Sequence, residues 1–316
     1  MDAGADLSGG KVALLFPGQG VQKVGMGQGF FMTSDAARAT FDEANDVLGY
    51  DLARLCFEGP AERLGQTDRC QPAVLTTSVA LWRAADEAGF RGDLAMGHSL
   101  GEYSALVASG SLSFEEALRL VVERGSVTTA VARQTPGSMA AVLGASEDEV
   151  EALCEEAGDV WPANYNCPGQ VVTSGLRGGV ERMLEIATSR GIKTRMLDID
   201  GAFHSSIMAP AAERFRGPLQ TVRIQAPSLP FLSATSVAIE RGERLRILLA
   251  QQLTAPVRFT QTVYTALDLG VDTFVEFGPS RVLTGLVRRV RPGTTTLTVS
   301  SPDDLAALTE LRGRSG

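Results

Sequence analysis

The chain has 316 residues, 44% of them hydrophobic and 21% charged, and a formal net charge of −8. That is an ordinary globular composition, long enough for one large domain or two unequal ones. The acidic balance argues against nucleic acid as a bulk partner, so any acidic partner must be met by a local basic patch. No apolar run approaches the length of a bilayer-spanning helix, and no membrane partner is expected. The opening MDAGADLSGG is small and acidic, the opposite of a signal peptide, and reads as a flexible leader on a cytoplasmic protein. Cys56, Cys70, Cys154 and Cys167 lack metal-ligand spacing; they read as reduced, mostly buried thiols, and no metal site is expected.

In chain order, KVALLF (11–16) reads as a short buried strand, ended by Pro17 and a glycine-rich turn. SDAARATFDEANDVLG opens on a Ser/Asp cap and closes on glycine, which predicts a helix. QPAVLTTSVALWRAADEAG predicts another, with Pro72 near its first turn and Gly89 just past its end. Leu94, Ala95 and Met96 lead as a strand into GHSLGE, with a helix behind it. SFEEALRLVVERG has helical spacing and acidic residues in its first turn. From about residue 138 the texture changes. SMAAVLG predicts a strand, SEDEVEALCEEAG a capped helix, and PANYNCPGQ and VVTSG two strands joined by a Pro-Gly turn. GGVERMLEIATSRG then predicts a helix and KTRMLDI a last strand. That order, β-α-β-β-α-β, is the split βαβ of a ferredoxin-like unit. After about residue 203 longer helices return, followed by DTFVEFGPS, a strand running into a turn, and RVLTGLVRRV. The pattern predicts an α/β fold in which residues 1–136 and 204–316 build a large domain and residues 137–203 form a small ferredoxin-like domain inserted between them.

Gly97-His98-Ser99-Leu100-Gly101 fits the nucleophile elbow G-x-S-x-G. A strand-to-helix turn this tight leaves no room for bulk beside the serine, hence the flanking glycines. It lifts Ser99 Oγ onto the N-terminus of the next helix, where the Leu100 amide and the helix dipole can stabilise a developing oxyanion. In a chain with 34 glycines the pattern alone is weak; the strand before it and the helix after it give it weight. A serine nucleophile needs a base, and the chain contains only His98 and His204. His98 adjoins the serine and should point away from its reactive face. His204, in DIDGAFHSS, lies where the chain leaves the small domain, and is the expected base. No acidic residue stands out to orient its imidazole. The turn FPGQG follows a strand as a dinucleotide fingerprint does, but Lys23 stands where G-x-G-x-x-G needs its third glycine. A backbone amide of Gln19, serving as second oxyanion donor, fits better. Arg124 reads by itself as a solvated partner of a helix C-terminus.

FPGQG, GHSLGE, VVERG, NCPGQVV, GAFHS, QQLTAPVRF and EFGPSRVLTGL occur in the order and spacing of malonyl-CoA:acyl carrier protein transacylases, over about residues 11–291. The chain resembles that family and the related discrete acyltransferases that serve polyketide synthases. The resemblance implies a hydrolase-like large domain with a parallel sheet core and a ferredoxin-like insert. It implies a catalytic pair at Ser99 and His204, oxyanion amides at Gln19 and Leu100, and a main-chain carbonyl at Gln252 that orients the histidine. It also implies that Arg124 binds the substrate carboxylate, a task suited to a planar, permanently charged fork. Leu100 and Phe203 occupy positions that bear on the acyl group, and both resemble malonyl users; Gly201 departs from the histidine usual in polyketide malonyl enzymes. Implied partners are malonyl-CoA and an acyl carrier protein, with no cofactor, the CoA thioester being a substrate. Carrier proteins are acidic, and Arg288, Arg289 and Arg291 in LVRRVR form a candidate docking patch, with a solvated helix end as the alternative.

The expected activity is therefore ping-pong transfer of a malonyl or similar carboxyacyl group through an acyl-serine, for fatty acid or polyketide synthesis. The alternatives are a discrete acyltransferase using an unusual extender or a carrier-bound donor, a serine thioesterase or acyl hydrolase, and a non-catalytic docking subunit. Intact Ser99, His204 and Arg124 speak against the last.

Overall fold

The computed structural model describes residues 10–313, so the leader read from the first residues lies outside the described residues. Among the described residues, ten strands divide between two sheets. Six form the larger one: β1 (Lys11–Phe16), β2 (Leu94–Gly97), β7 (Phe231–Ser233), β8 (Ala238–Glu240), β9 (Val271–Phe277) and β10 (Thr295–Val299), in the order β10-β9-β1-β2-β7-β8. All neighbours pair in parallel except β8, which returns antiparallel beside β7. A parallel sheet is covered by helices on both faces, so its strands read as unbroken apolar runs. In β1, Leu14 and Phe16 face a cluster containing Phe30, Phe41 and Phe277, while Ala13 and Leu15 face one containing Met96, Phe259 and Phe274.

The remaining strands, β3 (Gly137–Leu143), β4 (Val160–Cys167), β5 (Gln170–Leu176) and β6 (Lys193–Met196), form an antiparallel sheet in the order β4-β5-β3-β6. Helices Glu147–Ala157 and Arg177–Ser189 cover one face, where Val150, Leu153, Val180 and Met183 pack with Ala140, Val142 and Val171. The other face, through Met139, Ala141, Ala163 and Val172, merges with the core of the larger sheet. The backbone ties the parts together as well: Tyr165 N donates to Val257 O and Val257 N to Ala163 O, both at 2.8 Å.

Two helices exceed their sequence signals. The helix read from Gln71 begins at Thr67 and runs to Glu87, so Pro72 lies inside it rather than at its first turn. Proline there removes one backbone hydrogen bond, which the packing of a mostly buried helix offsets. The other helix runs Phe114–Gln134 and passes straight through Gly125, read as its terminus. A Cβ at Gly125 would lie 3.3 Å from Asp68 Cα. The glycine serves a close crossing of the two long helices, and the helix does not stop there. Arg124 consequently sits in the buried middle of a helix and not at a solvated end.

Candidate active site

The elbow is built where β2 ends. Ser99 adopts a left-handed conformation, φ 52°, before the helix Gly101–Ala108 begins. A Cβ on Gly97 would lie 2.1 Å from the Gly101 carbonyl carbon, and one on Gly101 would lie 1.9 Å from Phe16 O. Neither position admits a side chain. The parallel register sets Phe16 opposite Gly97, which brings the Pro17–Gln19 turn against the elbow. Gly18 is required there, since a Cβ would meet His98 O at 2.6 Å. The backbone amides of Gln19 and Leu100 flank this junction, and among the described residues neither donates to a backbone carbonyl. Two amides without backbone acceptors beside the elbow suit an oxyanion.

Ser99 Oγ lies 2.7 Å from His204 Nε2. On the far side of the ring, His204 Nδ1 is 2.9 Å from Gln252 O and 3.1 Å from Ala255 O. Carbonyls only accept, so Nδ1 carries the proton, and Nε2 is left as the acceptor for the serine hydroxyl. His204 is buried and itself left-handed, φ 58°. Burial, then the Arg124 charge and His98, push its pKa down to about 3, so the ring is neutral at physiological pH. His98 Nε2 donates to Asn166 Oδ1 at 2.8 Å and makes no bond to Ser99 Oγ; the residue borders the same pocket, with its pKa lowered by burial.

Arg124, 3% exposed, reaches the same centre. Its Nη1 donates to Gln71 Oε1 at 2.7 Å, and its Nη2 to Ser99 Oγ at 3.2 Å and Gln252 Oε1 at 3.3 Å. All three acceptors are neutral, while Arg124 Nε and Gln71 Nε2 are buried without a hydrogen-bond partner. A buried cation with spare donors is matched to a carboxylate that arrives from outside.

Phe203 joins Gln19, Ser99, Arg124 and His204 in lining the pocket, with Met139, Asn164 and Ile199 from the smaller sheet and its exit closing the other wall. The Phe203 ring lies over Gly201, where an added Cβ would come within 3.0 Å of it. The Leu100 side chain, expected to bear on the acyl group, is not on this wall: it is 1% exposed and packs into the apolar core below. The residue after the elbow serine therefore contributes no side chain to this pocket wall. Arg288, Arg289 and Arg291 lie outside the pocket, at the exposed end of helix Val282–Val290. There Arg288 Nε donates to Thr296 Oγ1 at 2.6 Å and Arg289 Nη1 to Gln170 Oε1 at 3.5 Å. Sequence reasoning missed Gln71, Glu102 and Asn166. Glu102 had a signal: it is an acid inside GEYSALVA, a helix buried along its whole length.

The sequence matches the acyl transferase domain family over residues 13–298. The chain belongs to that family. The acyltransferase is 42% identical over 302 residues to the malonyl CoA-acyl carrier protein transacylase of Bacillus subtilis, covering 93% of this chain and 95% of the relative. It is 39% identical to that of Escherichia coli K12, covering 95% and 99%. Among solved structures it is similar to a malonyl CoA-acyl carrier protein transacylase from Coxiella burnetii (TM-score 0.94, 34% identity, 99% and 100% coverage). It is also similar to a malonyl-transacylase in complex with its type II PKS acyl-carrier protein (TM-score 0.92, 38% identity, 95% and 99% coverage). The acyltransferase shares with these proteins an α/β architecture along nearly its whole length.

Proposed function

We propose that the acyltransferase moves a malonyl group from coenzyme A to the phosphopantetheine thiol of an acyl carrier protein. The observation that carries this reading is the convergence on one atom. Ser99 Oγ lies 2.7 Å from a neutral, carbonyl-oriented His204 and 3.2 Å from the buried Arg124 guanidinium. His204 Nε2 takes the Ser99 hydroxyl proton as Oγ attacks the thioester carbonyl, and the oxyanion forms between the Gln19 and Leu100 amides. Collapse breaks the C–S bond, the proton passes to the departing thiolate, and CoA leaves. The carrier thiol then gives its proton to His204 and attacks the acyl-serine, and Ser99 recovers the proton as the ester breaks. Arg124 pairs with the free carboxylate throughout and Gln252 O holds the imidazole. Phe203 bounds the space at the α-carbon, where a phenyl ring crowds a branch and so favours malonyl.

The same reading takes the fold as a hydrolase-like domain of residues 1–136 and 204–316 with a ferredoxin-like insert, 137–203. Its support is the β4-β5-β3-β6 antiparallel order with both helices on one face. We take Arg288, Arg289 and Arg291 as the docking patch for the acidic carrier, and the cytoplasm as its place of work. No helix among the described residues is long and apolar enough to cross a membrane.

The test is incubation with a mixture of malonyl-, methylmalonyl- and acetyl-CoA, read by intact mass. A malonyl increment on Ser99 that a carrier protein removes is expected. Free malonate released as fast as transfer occurs would instead make the protein a hydrolase.

A further inference from the structure

We propose that Glu102 is a positioning residue for acyl transfer, acting through the Gln252 side chain to hold Arg124 and the elbow carbonyl of Ser99 in place. The proposal rests on the reading of Ser99, His204 and Arg124 given above. Glu102 lies in the first turn of the helix behind the nucleophile and is completely buried. Its Oε1 accepts from Ser233 Oγ at 2.7 Å and from Ala234 N at 2.6 Å, and its Oε2 accepts from Gln252 Nε2. Ser233 Oγ is itself engaged as an acceptor by Thr235 N at 3.0 Å, so its hydroxyl proton is committed to Glu102. Every neighbour offers a proton, which suits an ionised carboxylate. Burial outweighs these donors and the nearby Arg124 and holds the Glu102 pKa above the ordinary carboxylate value.

The consequence runs through one amide. Gln252 Nε2 faces two acceptors, Glu102 and, at 3.1 Å, Ser99 O. Its Oε1 therefore faces Arg124 Nη2, at 3.3 Å. Which way the Gln252 amide points is fixed by Glu102, and only that orientation offers the guanidinium an acceptor. The main chain of the same residue supplies the carbonyl that orients His204. A single glutamine thus ties nucleophile, base and carboxylate-binding cation together, and Glu102 locks its side chain. Salt-bridge geometry does not explain the arrangement, since the carboxylate meets Arg124 through a neutral amide and leaves the guanidinium free for a substrate anion.

Replacing the acid by its amide inverts the relay. With Oε1 still held by Ser233 and Ala234, the new NH2 group of Glu102→Gln faces Gln252 Nε2, donor against donor. Relief requires the Gln252 amide to flip, which turns its NH2 toward the guanidinium. The expected result is a folded Glu102→Gln protein whose kcat/KM for malonyl-CoA falls by about 10- to 100-fold, the loss of one hydrogen bond to a charged group. Most of that change falls on KM, and acetyl-CoA, which does not use Arg124, changes much less. Glu102→Asp keeps every acceptor on a shorter arm and should lie between. Unchanged ratios of malonyl to acetyl loading in Glu102→Gln, or an equal fall for both substrates, would overturn the proposal. Failure of both Glu102→Gln and Glu102→Asp to fold would assign Glu102 to the core and overturn it too. Ser99→Ala measured alongside keeps the two ideas apart: persistent acyl loading there breaks the underlying reading, whatever Glu102 does.

Discussion

At the scale of single residues, the geometry makes separable demands. Ser99→Ala should abolish the malonyl mass increment, because among the described residues no other nucleophile is hydrogen-bonded to His204. His204→Ala should slow both half-reactions by about 10²–10⁴-fold, the usual loss of a general base, while His98→Ala should do less damage. Arg124→Ala should invert preference rather than reduce activity uniformly. The free carboxylate of malonyl-CoA loses a buried partner, about 2–4 kcal/mol or roughly 30- to 1,000-fold in kcat/KM, whereas acetyl transfer is kept or gained. Lysine at the same position should rescue only in part, since a point charge lacks the two-pronged fork. Equal losses for malonyl and acetyl would make the arginine merely structural. Protonation follows from the same contacts. The His204 base works when neutral, and its folded pKa of about 3 lies below the ordinary histidine value of 6.5. The acid limb of kcat/KM for loading should therefore lie well below pH 6.5. Stability behaves in the opposite sense at the same pH. Between pH 6.5 and about 3 the unfolded histidine binds a proton that the folded one refuses, so folding weakens as pH falls through that window. Short-exposure assays at pH 5, set against the unfolding midpoint at the same pH, distinguish the two effects.

At the scale of elements, two helical glycines test the packing argument. Alanine is ordinarily favoured over glycine inside a helix by roughly 1 kcal/mol. Gly285, in the helix Val282–Val290, has nothing within 4 Å of an added Cβ, so Gly285→Ala should raise the melting temperature. Gly101→Ala should do the reverse, because its Cβ would enter the carbonyl oxygens of Phe16 and Pro17 and wedge β1 away from the elbow helix. Equal shifts in the two variants would refute the close approach. The elements also mark how far sequence alone reaches. Strands, caps and the elbow were legible because each is a local pattern: Ser34 and Ser146 cap their helices as Ser/Thr/Asp/Asn signals indicate. Gly125 was misread because a glycine that ends a helix and one that lets two helices cross look alike along the chain. Only the proximity of Asp68 distinguishes them. Arg124 was for the same reason misplaced to a solvated helix end, and a family resemblance had to supply its role. Gln71 and Glu102 were invisible as partners because their contacts span distant segments, Gln71 to Arg124 and Glu102 to Ser233 and Gln252. Leu100 illustrates a further limit: sequence position next to a nucleophile says nothing about which way a side chain turns.

At the scale of the molecule, a net charge of −8 offers no general attraction to an acidic carrier of the kind proposed above, so attraction has to be local. Charge reversal at Arg288 and Arg289 should raise the carrier KM and leave loading from CoA unchanged; equal effects on both half-reactions would move docking elsewhere. The sheet order carries another consequence. β1, the second strand neighbour of β2 and the first made, also pairs with β9, Leu14 opposite Val275, near the other end of the chain. During synthesis at ~5–20 residues per second, that hydrophobic edge stays open for on the order of tens of seconds before its second partner emerges. An uncovered apolar edge is a template for wrong pairing. The nascent acyltransferase is thus expected to depend on a holding chaperone until Val271–Phe277 clears the ribosome, and chains stalled before that segment should co-purify with one, whereas the released full-length chain should not.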